Sequence, residues 1–296
     1  MKTKTNYSKN YILITPCKNE EANLPSLINS IASQVVKPII WVIVDDGSTD
    51  NTPIILNDYL TKYSWIKCLR LEESRRDIGL HLSKVMKKGF FYAIEICKKE
   101  GLEYNYLGNV DGDLILPENF FKNLIDEFEK DPNLGIASGG TQNIINGQIV
   151  HVKLSKDEPS GGHMLMRKEF YEELEGFPIS YACDSVLKAK ARLRGWTTKR
   201  FEANIATEIR DVSSAEGYWK GSVQSGKRDY YLNYNPIHVL LKSLKYFKKA
   251  PYYIGLGYIK GYYSSLLKKQ QQINDQEVRE YFWNKWKYKN YLSGRK

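Results

Sequence analysis

The chain has 296 residues and a formal net charge of +10, and 42% of its residues are hydrophobic. This length suits one large α/β domain with an appendage, and the apolar content excludes wholesale disorder. The charge excess lies entirely in residues 231–296, which also hold half of the 22 tyrosines. A basic, aromatic segment of this kind suits anionic membranes, lipid phosphates or nucleic acid.

The four cysteines are far apart and form no Cys-x-x-Cys pair. This spacing indicates neither a zinc site nor a disulfide framework and favours a reducing, cytoplasmic compartment. The N-terminus lacks the apolar run of a signal peptide, and no stretch reaches the ~20 apolar residues of a membrane-spanning helix. The nearest candidate, residues 250–267, contains Lys260 and several tyrosines, which favours an interfacial or packed helix.

Short β-rich runs alternate with helical patterns through the first half of the chain. Uniformly apolar runs predict buried strands at residues 11–15, 39–44, 65–71 and 104–110. Between them we expect helices, one capped by Ser48 or Thr49, one over residues 80–98, and one that begins at Pro117. This alternation predicts an α/β fold with a mostly parallel, Rossmann-like sheet flanked by helices. Ligands of such sheets bind beyond the carboxyl ends of the strands.

The pattern weakens after about residue 135. Further strands are predicted at 134–138, 149–154 and 163–167, and helices at 168–174 and 184–194. In the basic segment, residues 236–249 and 252–269 are typical of amphipathic helices, and residues 270–296 of a further helix or a tail. We therefore expect an α/β domain over residues 1–230 and a basic, tyrosine-rich helical extension over residues 231–296.

Polar motifs follow the first two strands. Residues 15–21 (TPCKNEE) offer Asn19 and Glu20 to a ligand, although Asn19 could instead cap the next helix and the acids complement its dipole. Residues 45–50 (DDGSTD) place Asp45 and Asp46 at a strand end, where carboxylates accept hydrogen bonds from a base N–H and from ribose hydroxyls. The alternative for this second motif is a turn that caps a helix.

A third motif, Asp111-Gly112-Asp113, follows the fourth strand. Two carboxylates one residue apart can share one divalent cation, and Mg²⁺ and Mn²⁺ prefer carboxylate and diphosphate oxygens. The alternative is a solvated turn.

A fourth group of residues combines a glycine pair with an acidic helix start. Gly161, Gly162 and His163 precede Arg167, and Asp184 stands at the head of a helix with an apolar face. At that place Asp184 is either an N-cap or a base that faces the cleft.

The order of these motifs resembles that of glycosyltransferase family 2, whose members have the GT-A fold. The resemblance rests on P-x-x-N-E-E, V-D-D-G-S-T-D-N-T, V-D-G-D and G-G-x-x-x-x-R with a later G-F, over about residues 10–200. It implies an inverting enzyme that moves a sugar from a nucleoside-diphosphate sugar, with UDP favoured, to the hydroxyl of a glycan or lipid-linked acceptor. The alternatives are a non-catalytic sugar-nucleotide- or glycan-binding relative and a nucleotidyltransferase. A nucleic-acid partner is not expected, because the neutral domain carries no recognised nucleic-acid motif.

The resemblance also implies roles for individual residues. The nucleoside pocket is expected to be lined by Pro16, Asn19, Glu20, Asp45 and Asp46. The residues expected to hold the metal, Mg²⁺ or Mn²⁺, and the diphosphate are Asp111 and Asp113. The catalytic base is expected to be Asp184, and the residues beside the acceptor Gly161, Gly162 and His163.

The sequence departs from the family pattern at three places. Cys183 stands before the base, where the family usually has Glu. Residues 75–80 (RRDIGL) stand where the family often has Asn-x-Gly, so the residues that would contact the sugar and the ribose are unassigned. Many members of the family supply a histidine to the metal from a position after the base. Here the only histidine after Asp184 is His238, in the basic segment, so a third protein ligand for the metal is unassigned.

The basic segment predicts a second partner. Residues 236–269 mix lysines with leucines and aromatic residues, a composition typical of a helix that lies in a membrane interface. We therefore expect a cytoplasmic protein that docks peripherally on an anionic membrane face. The alternative is that the apolar face packs on the catalytic domain and the lysines are solvated.

Overall fold

The computed structural model describes residues 9–72, 80–145, 148–209, 217–247 and 251–285. Its contacts divide the chain into two units, Met1–Ile179 with Cys183–Asp211, and Ser180–Ala182 with Val212–Lys296. The main segment of the second unit thus begins at Val212, before the expected boundary at residue 230. The reason is that the helix Gly217–Tyr231 packs along the helix Ile254–Leu267 inside the second unit.

Over its described residues, the first unit contains one sheet of nine strands. The strands are β1 (Tyr11–Cys17), β2 (Ile40–Asp45), β3 (Ile66–Arg70), β4 (Tyr106–Asn109), β5 (Leu114–Ile115), β6 (Leu134–Ile145), β7 (Gln148–Val152), β8 (Met164–Arg167) and β9 (Thr197–Glu208). The helices are α1 (Leu24–Ala32), α2 (Thr52–Lys62), α3 (Leu80–Glu100), α4 (Phe120–Lys130), α5 (Lys168–Glu173) and α6 (Cys183–Leu193).

The order of strands in the sheet is β3-β2-β1-β4-β8-β6-β9-β5, and β7 pairs with β6. The first four strands are parallel, as expected from their helical connections. Beyond them the sheet is mixed, because β8 lies antiparallel to both β4 and β6. Antiparallel neighbours need no helical crossover, so the later part of the chain loses the alternation seen earlier.

The core lies on both faces of the sheet. Side chains alternate along a strand, so Tyr11 and Leu13 of β1 pack on one face with α1 and α4, while Ile12 and Ile14 pack on the other with α3. Gly89 brings α3 close to the sheet, since a Cβ there would lie 2.8 Å from Val44 Cγ2. Burial on both faces explains why the central strands are apolar at nearly every position.

Two expectations about helix starts are wrong. Helix α2 begins at Thr52 with Asn51 as its N-cap, so neither Ser48 nor Thr49 caps it. Helix α4 begins at Phe120, and Pro117 lies in the preceding turn, where its carbonyl accepts the Phe120 N–H at 2.9 Å.

The second unit consists, over its described residues, of α7 (Gly217–Tyr231), α8 (Pro236–Tyr246), α9 (Ile254–Leu267) and α10 (Gln276–Trp283). The two basic helices expected from the sequence are confirmed as α8 and α9. The backbones of α7 and α9 touch, because a Cβ on Gly226 would lie 2.1 Å from the Tyr258 carbonyl oxygen. None of the helices that the structure describes is both long and apolar enough to cross a membrane.

A buried carboxylate joins three helices of this unit. Asp229 on α7 is 1% exposed and accepts hydrogen bonds from Lys242 Nζ of α8 at 2.7 Å and from the Tyr258 hydroxyl of α9 at 2.5 Å. Burial opposes ionisation of Asp229, but the charges of Lys242 and Arg228 hold its pKa below the ordinary value. This carboxylate therefore ties the helices together as a paired charge.

Candidate active site

The loops after β1 and β2 are bonded into one structure. The Asn19 N–H donates to Ser48 Oγ at 2.9 Å, and Asn19 Oδ1 accepts the Thr49 N–H at 2.8 Å. The Glu20 N–H donates to Thr52 Oγ1 at 2.9 Å. Asn19 has a φ of 54°, a left-handed conformation that asparagine tolerates better than most residues. The hydroxyls of the second motif thus fix the backbone of the first, which places both at the carboxyl edge of the sheet.

The Asp45 side chain stabilises this edge of the sheet through hydrogen bonds within the protein. Its Oδ1 accepts the Ser48 N–H at 2.8 Å, and its Oδ2 accepts a hydrogen bond from Arg70 Nη1 at 2.6 Å. The side chain is 1% exposed. Both oxygens therefore accept hydrogen bonds inside the protein, and Asp45 shapes the loop after β2. The nucleoside contact expected of Asp45 stays a prediction.

Asp46 is held from the opposite side. His81 Nε2, in the first turn of α3, lies 2.8 Å from both Asp46 carboxylate oxygens, and the Asp46 side chain is 10% exposed. Residues 75–79, the segment that departs from the family pattern, lie outside the described residues. Asp46 is thus the more accessible carboxylate of the pair.

The Asp111–Asp113 turn stands beside these loops. Asp111 is exposed and Asp113 is half-buried. The turn is fixed by its backbone, since the Asp111 N–H donates to the Gly162 carbonyl at 2.8 Å. A Cβ on Gly112 would lie 3.2 Å from Glu20 Cγ, so Glu20 packs against the turn. The first and third motifs are therefore neighbours.

The glycine pair contacts two acidic side chains. A Cβ built on Gly162 would lie 2.7 Å from Asp111 Oδ2, and one built on Gly161 would lie 3.4 Å from Asp184 Oδ2. The Gly161 carbonyl accepts a hydrogen bond from Asn109 Nδ2 at 2.8 Å, which anchors the pair to the end of β4. The structure thus brings Asp111 and Asp184, far apart in sequence, to the same dipeptide.

Asp184 lies in the first turn of α6, one residue inside the helix. Its side chain is 38% exposed, and its Oδ2 lies 3.1 Å from Nζ of Lys188, one helical turn later. Lys188 is mostly buried and also donates to the Pro159 carbonyl at 3.2 Å. The carboxylate is therefore oriented by a fixed lysine while part of it remains open to solvent.

Cys183, which replaces the family's usual Glu, carries no charge at neutral pH. Burial and the neighbouring Asp184 raise the pKa of its thiol to about 12. The position before Asp184 is thus occupied by a neutral thiol.

The side chain of His163 is part of the core. Its side chain is fully buried, with Nε2 at 3.2 Å from both the Gly140 carbonyl and Thr141 Oγ1. Burial, aided by the charge of Arg200, lowers its pKa to about 3. The expectation for His163 is therefore corrected to a neutral core residue, while Gly161 and Gly162 remain beside the carboxylates.

The buried His163 predicts a pH dependence of stability. As the pH falls below 6.5, the ordinary pKa of histidine, His163 is protonated in the unfolded chain. In the folded chain it stays neutral until the pH approaches its lowered pKa of about 3. The free energy of unfolding therefore falls as the pH is lowered from about 6 to about 4.5, with a limiting slope of about 1.4 kcal/mol per pH unit for this proton. Urea unfolding of His163→Gln should show a shallower slope over that range. His151→Gln, at an exposed position on β7, is the control, and equal slopes for wild type and His163→Gln would contradict the assignment.

The acidic turn fits a metal that is shared with a substrate. Among the described residues no group of three or more His, Cys, Asp or Glu is arranged to hold a metal ion. Asp111 and Asp113 supply carboxylate oxygens on a turn that a side chain at Gly162 would crowd. Mg²⁺ is commonly bound by one or two carboxylates plus substrate phosphates. These residues therefore suit a cation that arrives with a diphosphate.

Three supporting residues escaped the sequence reasoning. Lys188 could have been predicted, because a lysine four residues after an aspartate lies next to that aspartate on the surface of a helix. Arg70 could have been found only with the register that pairs it with Asp45. For His81 no pattern in the sequence indicates its partner.

Comparisons with known proteins define the class. A family model described as glycosyl transferase family 2 matches residues 12–183, more than half of the chain. The chain therefore belongs to glycosyl transferase family 2 and is a glycosyltransferase, as the motifs predicted. A curated relative, the poly-beta-1,6-N-acetyl-D-glucosamine synthase of Staphylococcus epidermidis, is 25% identical over 123 residues, 42% of this chain. The match spans 26% of that relative's length.

Solved structures confirm the GT-A fold. S. aureus TarS 1–349 superposes with a TM-score of 0.54 at 17% identity, over 86% of this chain and 72% of that chain. The complex of TarS 1–349 with UDP-GlcNAc has a TM-score of 0.54 at 16% identity, over 90% and 93% of the two chains. The mannosyltransferase PcManGT from Pyrobaculum calidifontis, with GDP-Man and Mn²⁺, has a TM-score of 0.52 at 15% identity, over 85% and 69%.

Proposed function

We propose that this glycosyltransferase is an inverting enzyme that transfers a sugar from a UDP-sugar to an acceptor hydroxyl in a single displacement. The observation that carries the proposal is the meeting of Asp111 and Asp184 at the Gly161–Gly162 pair. One carboxylate would face the leaving diphosphate and the other the attacking hydroxyl. The proposed acceptor is a glycan or a lipid-linked molecule.

Asp184 is the general base of this proposal. Its carboxylate takes the proton of the acceptor hydroxyl while that oxygen forms the new bond at the anomeric carbon. The UDP leaves on the opposite face, which inverts the configuration. Lys188 acts as a positioning residue, because its bond at 3.1 Å fixes Oδ2 of the carboxylate. General base catalysis of this kind is worth roughly 10²–10⁴-fold in rate.

Asp111 and Asp113 would hold Mg²⁺ or Mn²⁺. When bound, the cation neutralises the charge that develops on the leaving diphosphate. The Asp111 N–H bond to Gly162 holds the turn in place before substrate arrives.

The proposed nucleoside contacts are Asp46, Pro16, Asn19 and Glu20. Asp45 supports this pocket through Ser48 and Arg70. Support for UDP comes from the folds that resemble this chain, since TarS 1–349 was solved with UDP and with UDP-GlcNAc. The name of the curated relative contains N-acetyl-D-glucosamine, so UDP-GlcNAc is the first donor to test.

Slow hydrolysis of the donor tests the proposal without a known acceptor, because water can replace the acceptor hydroxyl. Proton NMR of UDP-GlcNAc, whose sugar is α-linked, should show the β-anomer as the first product, with UDP released in equal amount. Initial release of the α-anomer would contradict inversion. Release of neither sugar nor nucleotide from any donor would favour a non-catalytic binding protein, and diphosphate release from a nucleoside triphosphate a nucleotidyltransferase.

The glycine pair allows a paired test of the two carboxylates. Gly162→Ala should displace the Asp111 carboxylate, because the new Cβ would lie 2.7 Å from Oδ2. We expect at least a tenfold loss of Mn²⁺-dependent UDP affinity with little change in melting temperature, since only the end of a side chain must move. Gly161→Ala contacts Asp184 instead, and should slow donor hydrolysis while preserving UDP affinity. Equal effects of both variants on UDP affinity would contradict the assignment.

A further inference from the structure

Helix α8 carries an apolar stripe that faces outward. The stripe follows the spacing i, i+3, i+4, i+7 and consists of Ile237, Leu240, Leu241 and Leu244, which are 69%, 45%, 59% and 57% exposed. The inward side of the helix is marked by Val239 and Ser243, which are buried. An apolar stripe with helical spacing ordinarily faces a core. On α8 the residues of the stripe are exposed instead.

A second exposed apolar group lies on α7 and α9. The ring centroids of Trp219 and Tyr253 are 6.2 Å apart, and Lys260 Nζ lies 5.6 Å from the centre of the Trp219 ring. Trp219, Tyr253 and Leu256 are 40%, 44% and 55% exposed. Tryptophan and tyrosine with a nearby lysine are the side chains that favour the headgroup region of a bilayer.

The charge of the same three helices is almost entirely positive. Between residues 217 and 269 the sequence contains one acidic residue, Asp229. That carboxylate is 1% exposed and paired with Lys242, so it does not offset the surface charge. The exposed lysines of these helices and of the turn after α9 are Lys220, Lys245, Lys260, Lys268 and Lys269.

We infer that the apolar stripe of α8, together with the exposed lysines of α7, α8 and α9, docks the protein on an anionic phospholipid surface. Leucines on one side of a helix and lysines around it are the arrangement that places a helix in the plane of the interface. Self-association through this face would bring two lysine-rich surfaces together against their mutual repulsion. The inference goes beyond the proposed transfer reaction and requires neither the donor nor the base assigned above.

Vesicle flotation tests the docking. The intact chain should float with phosphatidylcholine vesicles that contain phosphatidylglycerol, and should stay behind with phosphatidylcholine alone. Added salt should weaken the binding, because it screens the lysines. The double variant Leu241→Ser/Leu244→Ser should bind anionic vesicles roughly tenfold more weakly, since these leucines would leave the lipid interface.

The control is Ile54→Ser, at an exposed position of α2 that is 65% accessible, and it should float like wild type. Failure of the wild type to float with anionic vesicles, or equal flotation of the double variant, would overturn the inference. So would a dimer in analytical ultracentrifugation that the double variant abolishes, because a second copy would then cover the stripe. Donor hydrolysis in vesicle-free buffer should be the same for all three proteins, so a failure of docking is distinguishable from a failure of the proposed reaction.

Discussion

Replacing Asp184 with Asn should reduce UDP release from the donor by roughly 10²–10⁴-fold. The amide cannot take the proton of the attacking hydroxyl, but it keeps the shape of the side chain and leaves the nucleotide site untouched. UDP affinity, measured by isothermal titration calorimetry with Mn²⁺, should therefore stay within about threefold of wild type. Asp184 lies beside Lys188, so the melting temperature should be measured on the same sample.

The control for this substitution is Asp58→Asn, at an exposed position on α2, which should leave both rate and affinity unchanged. Loss of UDP release together with loss of UDP affinity and a lowered melting temperature would contradict the base. That outcome would assign Asp184 a structural role at the start of α6.

Replacing Asp111 with Asn should have the converse result. With one carboxylate charge removed, the turn should no longer bind a divalent cation and diphosphate together, and UDP affinity in Mn²⁺ should fall by about a hundredfold or more. Affinity without metal should change little, because the nucleoside contacts lie in the loops after β1 and β2. Titration of wild type and variant with UDP, each with Mn²⁺ and with chelator, separates the two contributions.

Asp113→Asn provides the second half of this test and should behave in the same way. The Asp113 carbonyl accepts the Ile209 N–H at 2.9 Å, a backbone bond that the substitution leaves intact. Full UDP affinity of both variants in Mn²⁺, or equal wild-type affinity with and without metal, would contradict the metal site.

The central strands could be predicted because burial leaves a direct mark on the sequence. β1 and β2 are covered on both faces, so nearly all their residues are apolar. β9 has no such mark, since Thr197–Glu208 mixes charged and polar residues with buried positions such as Arg200 and Ala206. Its place beside β6 depends on tertiary pairing, which a local pattern does not contain.

The location of the site could be predicted better than the role of each residue. Motifs at the carboxyl ends of parallel strands must meet at one edge, and the loops after β1 and β2 do so. His163 reads as a site residue in the sequence, yet its side chain is fully buried, and Asp45 accepts hydrogen bonds that shape its own loop. These contacts depend on partners such as Arg70 and Thr141, which long-range pairing brings into contact. Only the folded chain separates the residues that face a ligand from those that shape the loop.

The most direct test of the proposed active site is a thermal-shift measurement of the intact chain with UDP, GDP, TDP and CMP, each with and without Mn²⁺. Ligand that binds the folded state raises the melting temperature by mass action. The proposed site predicts a rise with UDP that is larger in Mn²⁺ and is lost in Asp111→Asn. A melting temperature that none of the nucleotides changes, with or without metal, would contradict it.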